Sequence, residues 1–241
     1  MKTPTLAVLV TALALAAGGC RTSKTHGPPL EEQKKSSPPM IDGTTGAPRS
    51  ALAAPAAGGS VAVVEKQGKA QIGAPAPDFT LTATDGKAVR LSDFKNKTVV
   101  LEWFSPTCPY SVYAWGPNGP LREMSERLKS QGVVWLTVNS EDPATAAGEV
   151  ERTRRFAAEN SMDVRLLMDP AGKVGRAYEA KSTPHMFVIS PRGVLVYRGA
   201  LDNAQLGKVK DGAAKTNYVE SAIRDIAAGH AVTASETKPY G

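Results

Sequence analysis

Aromatic residues are confined to one part of the chain, and this restricts where a hydrophobic core can form. Every Phe, Trp and Tyr lies at or after Phe79, whereas residues 21–60 hold six of the 18 prolines and few large apolar side chains. A segment of that composition cannot bury enough apolar surface to offset the entropy lost on ordering it. The sequence therefore predicts one folded domain over residues 73–241, preceded by a largely disordered tether over residues 21–72.

The positive charge is also unevenly distributed. The chain carries a formal net charge of +6, but residues 1–71 contribute eight Lys and Arg against four acidic residues. The remainder is close to neutral, with both signs interspersed. This pattern argues against a basic face that binds nucleic acid.

The first twenty residues have the features of an export signal. Lys2 precedes an apolar stretch over residues 6–17, which is too short to span a bilayer. The small residues that follow end in Cys20, and the sequence Ala-Gly-Gly-Cys resembles a bacterial lipobox. The resemblance implies a lipoprotein signal peptide over residues 1–20 and lipid on Cys20. The domain is then exported and anchored in the cell envelope, facing the periplasm.

The hydrophobic pattern of the domain predicts an α/β fold. An alternating segment around Asp85-Gly86 indicates a β-hairpin at the start of the domain. Strands and helices then alternate from residue 98 to residue 179, and a second hairpin and a final helix follow. Such an order implies a mixed central sheet flanked by helices.

Cys108 is the single cysteine of the predicted domain. It follows a buried strand over residues 98–104 and stands at the start of a helix that begins near Pro109. Free backbone amides and the positive end of the helix dipole at that place favour the thiolate, which is the nucleophilic form of cysteine. The alternative from the residues alone is a buried, inert thiol.

The segment Val-Val-Leu-Glu-Trp-Phe-Ser-Pro-Thr-Cys-Pro-Tyr-Ser over residues 99–111 resembles the active-site strand and turn of thioredoxin-like proteins. The resemblance covers about residues 73–230, and the opening Gly-Ala-Pro-Ala-Pro-Asp-Phe over residues 73–79 is similar to that of the redoxin branch. That branch includes the peroxiredoxin-like (AhpC/TSA) proteins and membrane-anchored thiol oxidoreductases. The implied fold is thioredoxin-like.

The resemblance also implies site residues. Cys108 matches the reactive cysteine, and Glu102 matches the buried acid six residues before it. Ser111 stands where a second cysteine is usual. Thr183 and Pro184 match the cis-proline turn that faces the thiol. No cofactor is implied, and scattered histidines with one domain cysteine do not suggest a metal site.

Two reaction types remain open. With Ser111 in place of a second cysteine, an oxidised Cys108 must be resolved by an external thiol, so the expected partners are a thiol reductant or a disulfide-bearing protein. The peroxiredoxin pattern P-x-x-x-T/S-x-x-C has Ser105 in place but Leu101 where proline is usual. That reaction also needs an arginine beside the thiol, for which the sequence offers Arg165, Arg176 and Arg198. The final segment, Lys238-Pro-Tyr-Gly241, resembles that of some relatives that carry a cysteine just beyond it. In such a relative this cysteine would be the resolving thiol.

The sequence supports a membrane-anchored extracytoplasmic thiol oxidoreductase that uses one cysteine for thiol–disulfide exchange or peroxide reduction. One alternative is a non-catalytic module that holds an extended partner segment in the groove beside Pro184. Another is a structural envelope protein that has kept the fold without redox turnover. The reactivity of Cys108 separates the first interpretation from the other two.

Overall fold

The computed structural model describes residues 63–64, 68–142, 148–210 and 212–241. The predicted signal peptide, Cys20 and most of the tether lie outside the described residues. The strands are β1 (Val63–Val64), β2 (Phe79–Ala83), β3 (Ala88–Arg90), β4 (Val99–Trp103), β5 (Val134–Asn139), β6 (Arg165–Met168), β7 (His185–Ile189), β8 (Leu195–Gly199), β9 (Ala204–Gln205) and β10 (Lys208–Val209). The helices are α1 (Pro109–Trp115), α2 (Leu121–Ser130), α3 (Glu149–Glu159), α4 (Lys173–Tyr178) and α5 (Tyr218–Ala227), with a 3-10 turn over Leu91–Phe94.

One mixed sheet organises the domain. Its strands follow the order β1-β2-β6-β5-β4-β7-β8, and β3 pairs with β2. The central strands β4, β5 and β6 are parallel, whereas β2, β7 and β8 run antiparallel to their neighbours. This is the thioredoxin-like α/β fold that the sequence predicts.

Strand β4 lies at the centre of the sheet and is buried along its whole length. Because side chains alternate across a strand, Val100 packs into a core cluster with α1, α2, α3 and α5. Leu101 and Trp103 pack into a second cluster on the opposite face, with α4 and the β2–β3 hairpin. A polar residue in the middle of β4 must therefore find its partners inside the protein.

The pairing of β7 with β4 determines where the site lies. The two strands are antiparallel, and Trp103 at the end of β4 is opposite His185 at the start of β7. The turn before β7, which holds Thr183 and Pro184, is therefore next to the loop that follows β4. The fold thus places Cys108 near this turn.

The predicted first hairpin is confirmed as β2 and β3, with Gly86 in the turn at a φ of 85°. The packed region begins earlier than the expected boundary at residue 73, because β1 pairs with β2 and Ala70 is buried. The hydrogen bond from the Ala70 amide to the carbonyl of Ala177 fixes this segment to the end of α4. Among the helices that the structure describes, none has the length and apolar character needed to cross a membrane.

Candidate active site

Cys108 occupies the N-cap position of α1, directly before Pro109. Proline suits the first turn of a helix because its fixed φ and missing N–H cost nothing there. The Cys108 carbonyl accepts the first helical hydrogen bond, from the Val112 amide at 2.9 Å. The thiol is partly exposed and forms no disulfide with any described residue. The predicted position of this thiol at a helix start is confirmed.

Thr183 provides the hydrogen-bond partner of the thiol. The Cys108 Sγ–H donates to the Thr183 carbonyl oxygen at 2.8 Å, and no other partner of the thiol is found in the described part of the chain. The Thr183–Pro184 peptide bond is cis, as predicted. The two chain segments that the family resemblance brings together are therefore in contact.

Ser111 lies one helical turn after Cys108, on the buried side of α1. Its side chain is fully buried, and its hydroxyl has no hydrogen-bond partner among the described residues. An unpaired buried hydroxyl costs stability because its hydrogen bond to water is not replaced. This environment is better suited to a thiol than to a hydroxyl.

Glu102 is a fully buried carboxyl group in the middle of β4. Its Oε1 accepts a hydrogen bond from the Trp115 indole at 2.8 Å, and its Oε2 accepts bonds from the Trp135 indole at 3.0 Å and the Thr137 hydroxyl at 3.2 Å. Burial raises the pKa of Glu102 to about 7, and the three donors only partly oppose this shift. The prediction of a buried acid on this strand is confirmed.

The link between Glu102 and the thiol is indirect. The three hydrogen-bond partners of the Glu102 carboxyl do not include Cys108. Trp115, however, belongs to the same short helix that begins after Cys108. Glu102 therefore joins β4 to α1 through a hydrogen bond, and a part for it in the chemistry of Cys108 stays a prediction.

The loop before Cys108 is fixed by a polar contact at the end of β5. The Ser105 hydroxyl donates to the Glu141 carboxylate and lies 3.0 Å from the Thr107 hydroxyl. The Thr107 amide also donates to the Ser105 oxygen at 3.2 Å. Ser105, which fills the Thr/Ser place of the peroxiredoxin pattern, thus orients the loop by bonding to a carboxylate.

Two of the three arginines that the sequence offers as partners of the thiol, Arg165 and Arg198, contact other residues. The Arg165 guanidinium stands over the Phe94 ring, 5.5 Å from its centroid. Arg198 forms ion pairs with Glu179 and Glu236, at 3.4 and 2.9 Å. Neither guanidinium hydrogen-bonds to Cys108.

His185 follows Pro184 but belongs to the core. It is buried, its ring packs 4.5 Å from that of Phe187, and its Nδ1 accepts a hydrogen bond from the Lys181 amide at 3.2 Å. Burial, with nearby Arg198 and Lys181, lowers its pKa to about 4. His185 is therefore neutral and structural at physiological pH.

Tyr240 and Asp202, which lie near the site, are not predicted from the sequence. Tyr240 packs its ring 5.9 Å from that of Tyr110, and its hydroxyl donates to Asp202 at 2.6 Å. Tyr110 is expected only as a packing or rim residue, and the segment around Tyr240 has no periodic pattern that would predict its place. The signal in the sequence for a contact there is that Tyr240 is a single aromatic residue near the end of an otherwise polar segment.

Comparison with known proteins supports this description. Residues 72–198 match the family model described as the AhpC/TSA family. Peroxiredoxin-2 from Cricetulus griseus is 30% identical over 141 residues, which cover 53% of this chain and 68% of that protein. Thiol-disulfide oxidoreductase ResA from Bacillus subtilis is 29% identical over 131 residues, which cover 52% of this chain and 64% of that protein.

A solved structure is similar over a longer part of the chain. A hypothetical protein from Sinorhizobium meliloti 1021 has 25% sequence identity and a TM-score of 0.62, and the match covers 71% of this chain and 92% of that one. The family match includes β2 to β7 and therefore both Cys108 and the Thr183–Pro184 turn.

Proposed function

Because the chain belongs to the AhpC/TSA family, we propose that it is an exported thiol–disulfide oxidoreductase in which Cys108 is the only reacting thiol. The observation that carries the proposal is the contact between the Cys108 thiol and the Thr183 carbonyl, at the N-terminus of α1. A partly exposed thiol at a helix start, next to the Thr183–Pro184 turn, can be reached by the disulfide of a partner.

The surroundings of the thiol favour disulfide exchange over peroxide reduction. A peroxide reaction of the kind the family resemblance implies uses an arginine at the thiolate. Arg165 and Arg198 are committed to Phe94 and to two carboxylates, and among the described residues Arg176 forms no hydrogen bond with Cys108. Leu101, in place of the usual proline, is also part of the buried core. Disulfide exchange needs neither residue.

The reaction takes place in two exchange steps. The Cys108 thiolate attacks one sulfur of a disulfide in the partner, so that a new S–S bond forms and the other partner sulfur leaves as a thiolate. Ser111 cannot resolve this mixed disulfide. An external thiolate then attacks it, forms a disulfide with the partner sulfur and releases Cys108. Each step exchanges one S–S bond for another, so no further oxidant or reductant is needed.

The predicted export signal completes the proposal. Cleavage before Cys20 and lipidation of that residue would attach the domain to an envelope membrane through the predicted tether. There it would meet disulfide-bearing proteins.

Replacing Cys20 with serine is expected to move the protein from the membrane fraction to the soluble fraction of disrupted cells. Fractionation followed by immunoblotting measures this. A variant that stays in the membrane with unchanged mobility would contradict the proposed anchor.

The main test uses the Cys20→Ser chain, in which Cys108 is the only thiol. We expect iodoacetamide to alkylate Cys108 faster at pH 7 in the native protein than in the urea-unfolded chain, since the proposal requires the fold to activate this thiol. A peptide disulfide should give a mixed disulfide with the native protein that mass spectrometry detects. The matched control is Cys108→Ser in the same background, which should give neither product.

Three other results would argue against the proposal. Native alkylation that is slower than in the unfolded chain would indicate an inert thiol. Capture of the same partner by the Cys108→Ala variant would favour the non-catalytic binding module, since that module uses the groove beside Pro184 without the thiol. Rapid turnover of peroxide with no exchange of peptide disulfides would assign the protein to the peroxidases.

A further inference from the structure

The segment after residue 234 adds an extended stretch of chain to the outer edge of β8. The Arg198 amide donates to the Ser235 carbonyl at 3.0 Å, and the Thr237 amide donates to the Arg198 carbonyl at 3.1 Å. The Thr237 hydroxyl lies 2.6 Å from the Tyr197 hydroxyl. A side chain at Gly199 would come within 2.2 Å of the Thr237 hydroxyl, so the glycine allows this close approach. Thr237 is therefore firmly anchored.

Residues 238–241, which we term the strap, continue from this anchor across the site. They form no main-chain hydrogen bond with any residue that the structure describes. Among the described residues, the polar contact of the strap is the hydrogen bond of the Tyr240 side chain. A segment held by one side chain and no main-chain hydrogen bond can leave its place without disturbing the sheet.

Tyr240 occupies a small site made by Tyr110 and Asp202. Its ring packs against that of Tyr110, two residues after Cys108, and its hydroxyl donates to the Asp202 carboxylate at 2.6 Å. Asp202 is buried and also accepts a hydrogen bond from the Ala204 amide at 2.8 Å. Because the carboxylate is held by the backbone, it stays in place as an acceptor when Tyr240 departs.

Gly241 brings the strap to the reactive thiol. A Cβ at Gly241 would lie 2.1 Å from the Thr183 carbonyl oxygen, so the backbone of the strap is in direct contact with that group. The same oxygen accepts the hydrogen bond of the Cys108 thiol at 2.8 Å. The strap therefore covers the surface that a partner must occupy to react with Cys108.

We propose that Tyr110, Asp202 and the Thr183 carbonyl form a subsite for a tyrosine of an extended polypeptide partner, and that Tyr240 fills this subsite in the resting protein. The inference rests on the proposed function, because the partner is the polypeptide whose disulfide Cys108 attacks. The strap then competes with the partner for the subsite, and a bound partner displaces it.

The chemistry of the subsite explains the preference for tyrosine. The Tyr110 ring packs against an aromatic ring, and the buried Asp202 carboxylate accepts a hydrogen bond from a hydroxyl in addition to its contacts with the Ala204 amide and the Lys215 ammonium. Burial and the nearby Asp202 carboxylate raise the pKa of Tyr240, so its hydroxyl keeps the proton that it donates. Phenylalanine can pack against Tyr110 but has no hydroxyl for Asp202, and serine has a hydroxyl but no ring.

The path of the strap also predicts where the partner's sulfur lies. Tyr240 fills the subsite and the next residue contacts the Thr183 carbonyl, beside the thiol. A partner that binds in the same direction would present a sulfur one or two residues after its tyrosine. The Cys108 thiolate would attack that sulfur, and the second half of the partner disulfide would leave as a thiolate.

The binding test uses Cys20→Ser/Cys108→Ser protein, so that no covalent reaction contributes. A fluorescein-labelled peptide Lys-Pro-Tyr-Gly-Ser is titrated and its anisotropy measured, beside peptides with Phe or Ala in place of Tyr. We expect the Tyr peptide to bind about tenfold more tightly than the Phe peptide, since the hydrogen bond to a buried carboxylate is lost. The Ala peptide should bind more weakly still.

Variants of the strap provide the second readout. In the Cys20→Ser chain, Tyr240→Ala should tighten binding of the Tyr peptide and increase the rate of Cys108 alkylation by about tenfold, since nothing then holds the strap down. Tyr240→Phe should have a smaller effect in the same direction. Lys95→Ala is the matched control, because this exposed side chain lies outside the strap and the subsite; it should match the parent chain in both measurements.

The outcomes separate the two proposals. Equal binding of the Tyr and Ala peptides, or unchanged alkylation in Tyr240→Ala, would overturn the subsite even if Cys108 exchanges disulfides readily. Selective binding of the Tyr peptide without any exchange at Cys108 would support the subsite and reject the proposed enzyme.

Discussion

Replacing Glu102 with alanine is expected to lower the free energy of unfolding by about 4 kcal/mol at pH 5. The substitution leaves the indole N–H groups of Trp115 and Trp135 and the Thr137 hydroxyl without their buried acceptor. It also creates a cavity at the centre of the sheet, which adds to the loss. Urea unfolding followed by circular dichroism measures the change.

Glu102→Gln is the matched control for this effect. It keeps the volume and one carbonyl oxygen for an indole, so we expect a loss of about 1–2 kcal/mol. An alanine variant that loses less than the glutamine variant would show that the carboxyl group does not hold α1 to the sheet.

The wild type and the Glu102→Gln variant are expected to differ in how their stability depends on pH. The pKa of Glu102 is about 7 in the folded protein and has an ordinary value of 4.5. The folded state therefore holds a proton that the unfolded chain has released, and stability is lost as the pH rises from 4.5 through 7. The expected loss is about 3 kcal/mol. Glu102→Gln cannot titrate, so the wild type should lose this amount relative to the variant between pH 4.5 and pH 8. A constant difference between the two proteins over this range would contradict the raised pKa.

Changing Ser111 to cysteine is expected to convert the protein into a dithiol oxidoreductase. Residues 108 and 111 are one helical turn apart, where side chains lie close enough for a disulfide. The buried position suits a thiol, and the change removes an unpaired hydroxyl. Insulin reduction by dithiothreitol with catalytic protein should increase about tenfold or more, because the new thiolate resolves the mixed disulfide internally.

Two controls make this result specific. Ser111→Ala removes the hydroxyl without adding a thiol and should keep the single-thiol behaviour of the parent. Ser130→Cys adds a thiol at the exposed end of α2, away from the site, and should form no internal bond with Cys108. Free thiols at both positions 108 and 111 after oxidation would show that the two side chains do not meet.

Features that depend on local pattern could be predicted from the sequence. Glu102 interrupts an apolar strand, so its burial follows from the strand itself. The place of Cys108 follows from a strand that ends shortly before Pro109. The contact with Thr183 was accessible only through the family resemblance, because 75 residues separate it from Cys108.

Features that depend on long-range contacts between polar residues could not be predicted. Arg198 is an available cation in the sequence, but Glu179 and Glu236 from two distant segments fix its place. Tyr240 likewise finds Asp202 across 38 residues that show no common periodicity. Such pairs form only when the fold brings distant segments together, so no local pattern in the sequence predicts them.

The close approach of Thr237 to Gly199 has a consequence for comparing members of the family. Any side chain larger than a hydrogen at residue 199 would overlap the backbone of Thr237, and its φ of 149° further disfavours other residues. A relative with a larger residue at the position of Gly199 could not hold its following segment in the place that Thr237 takes here.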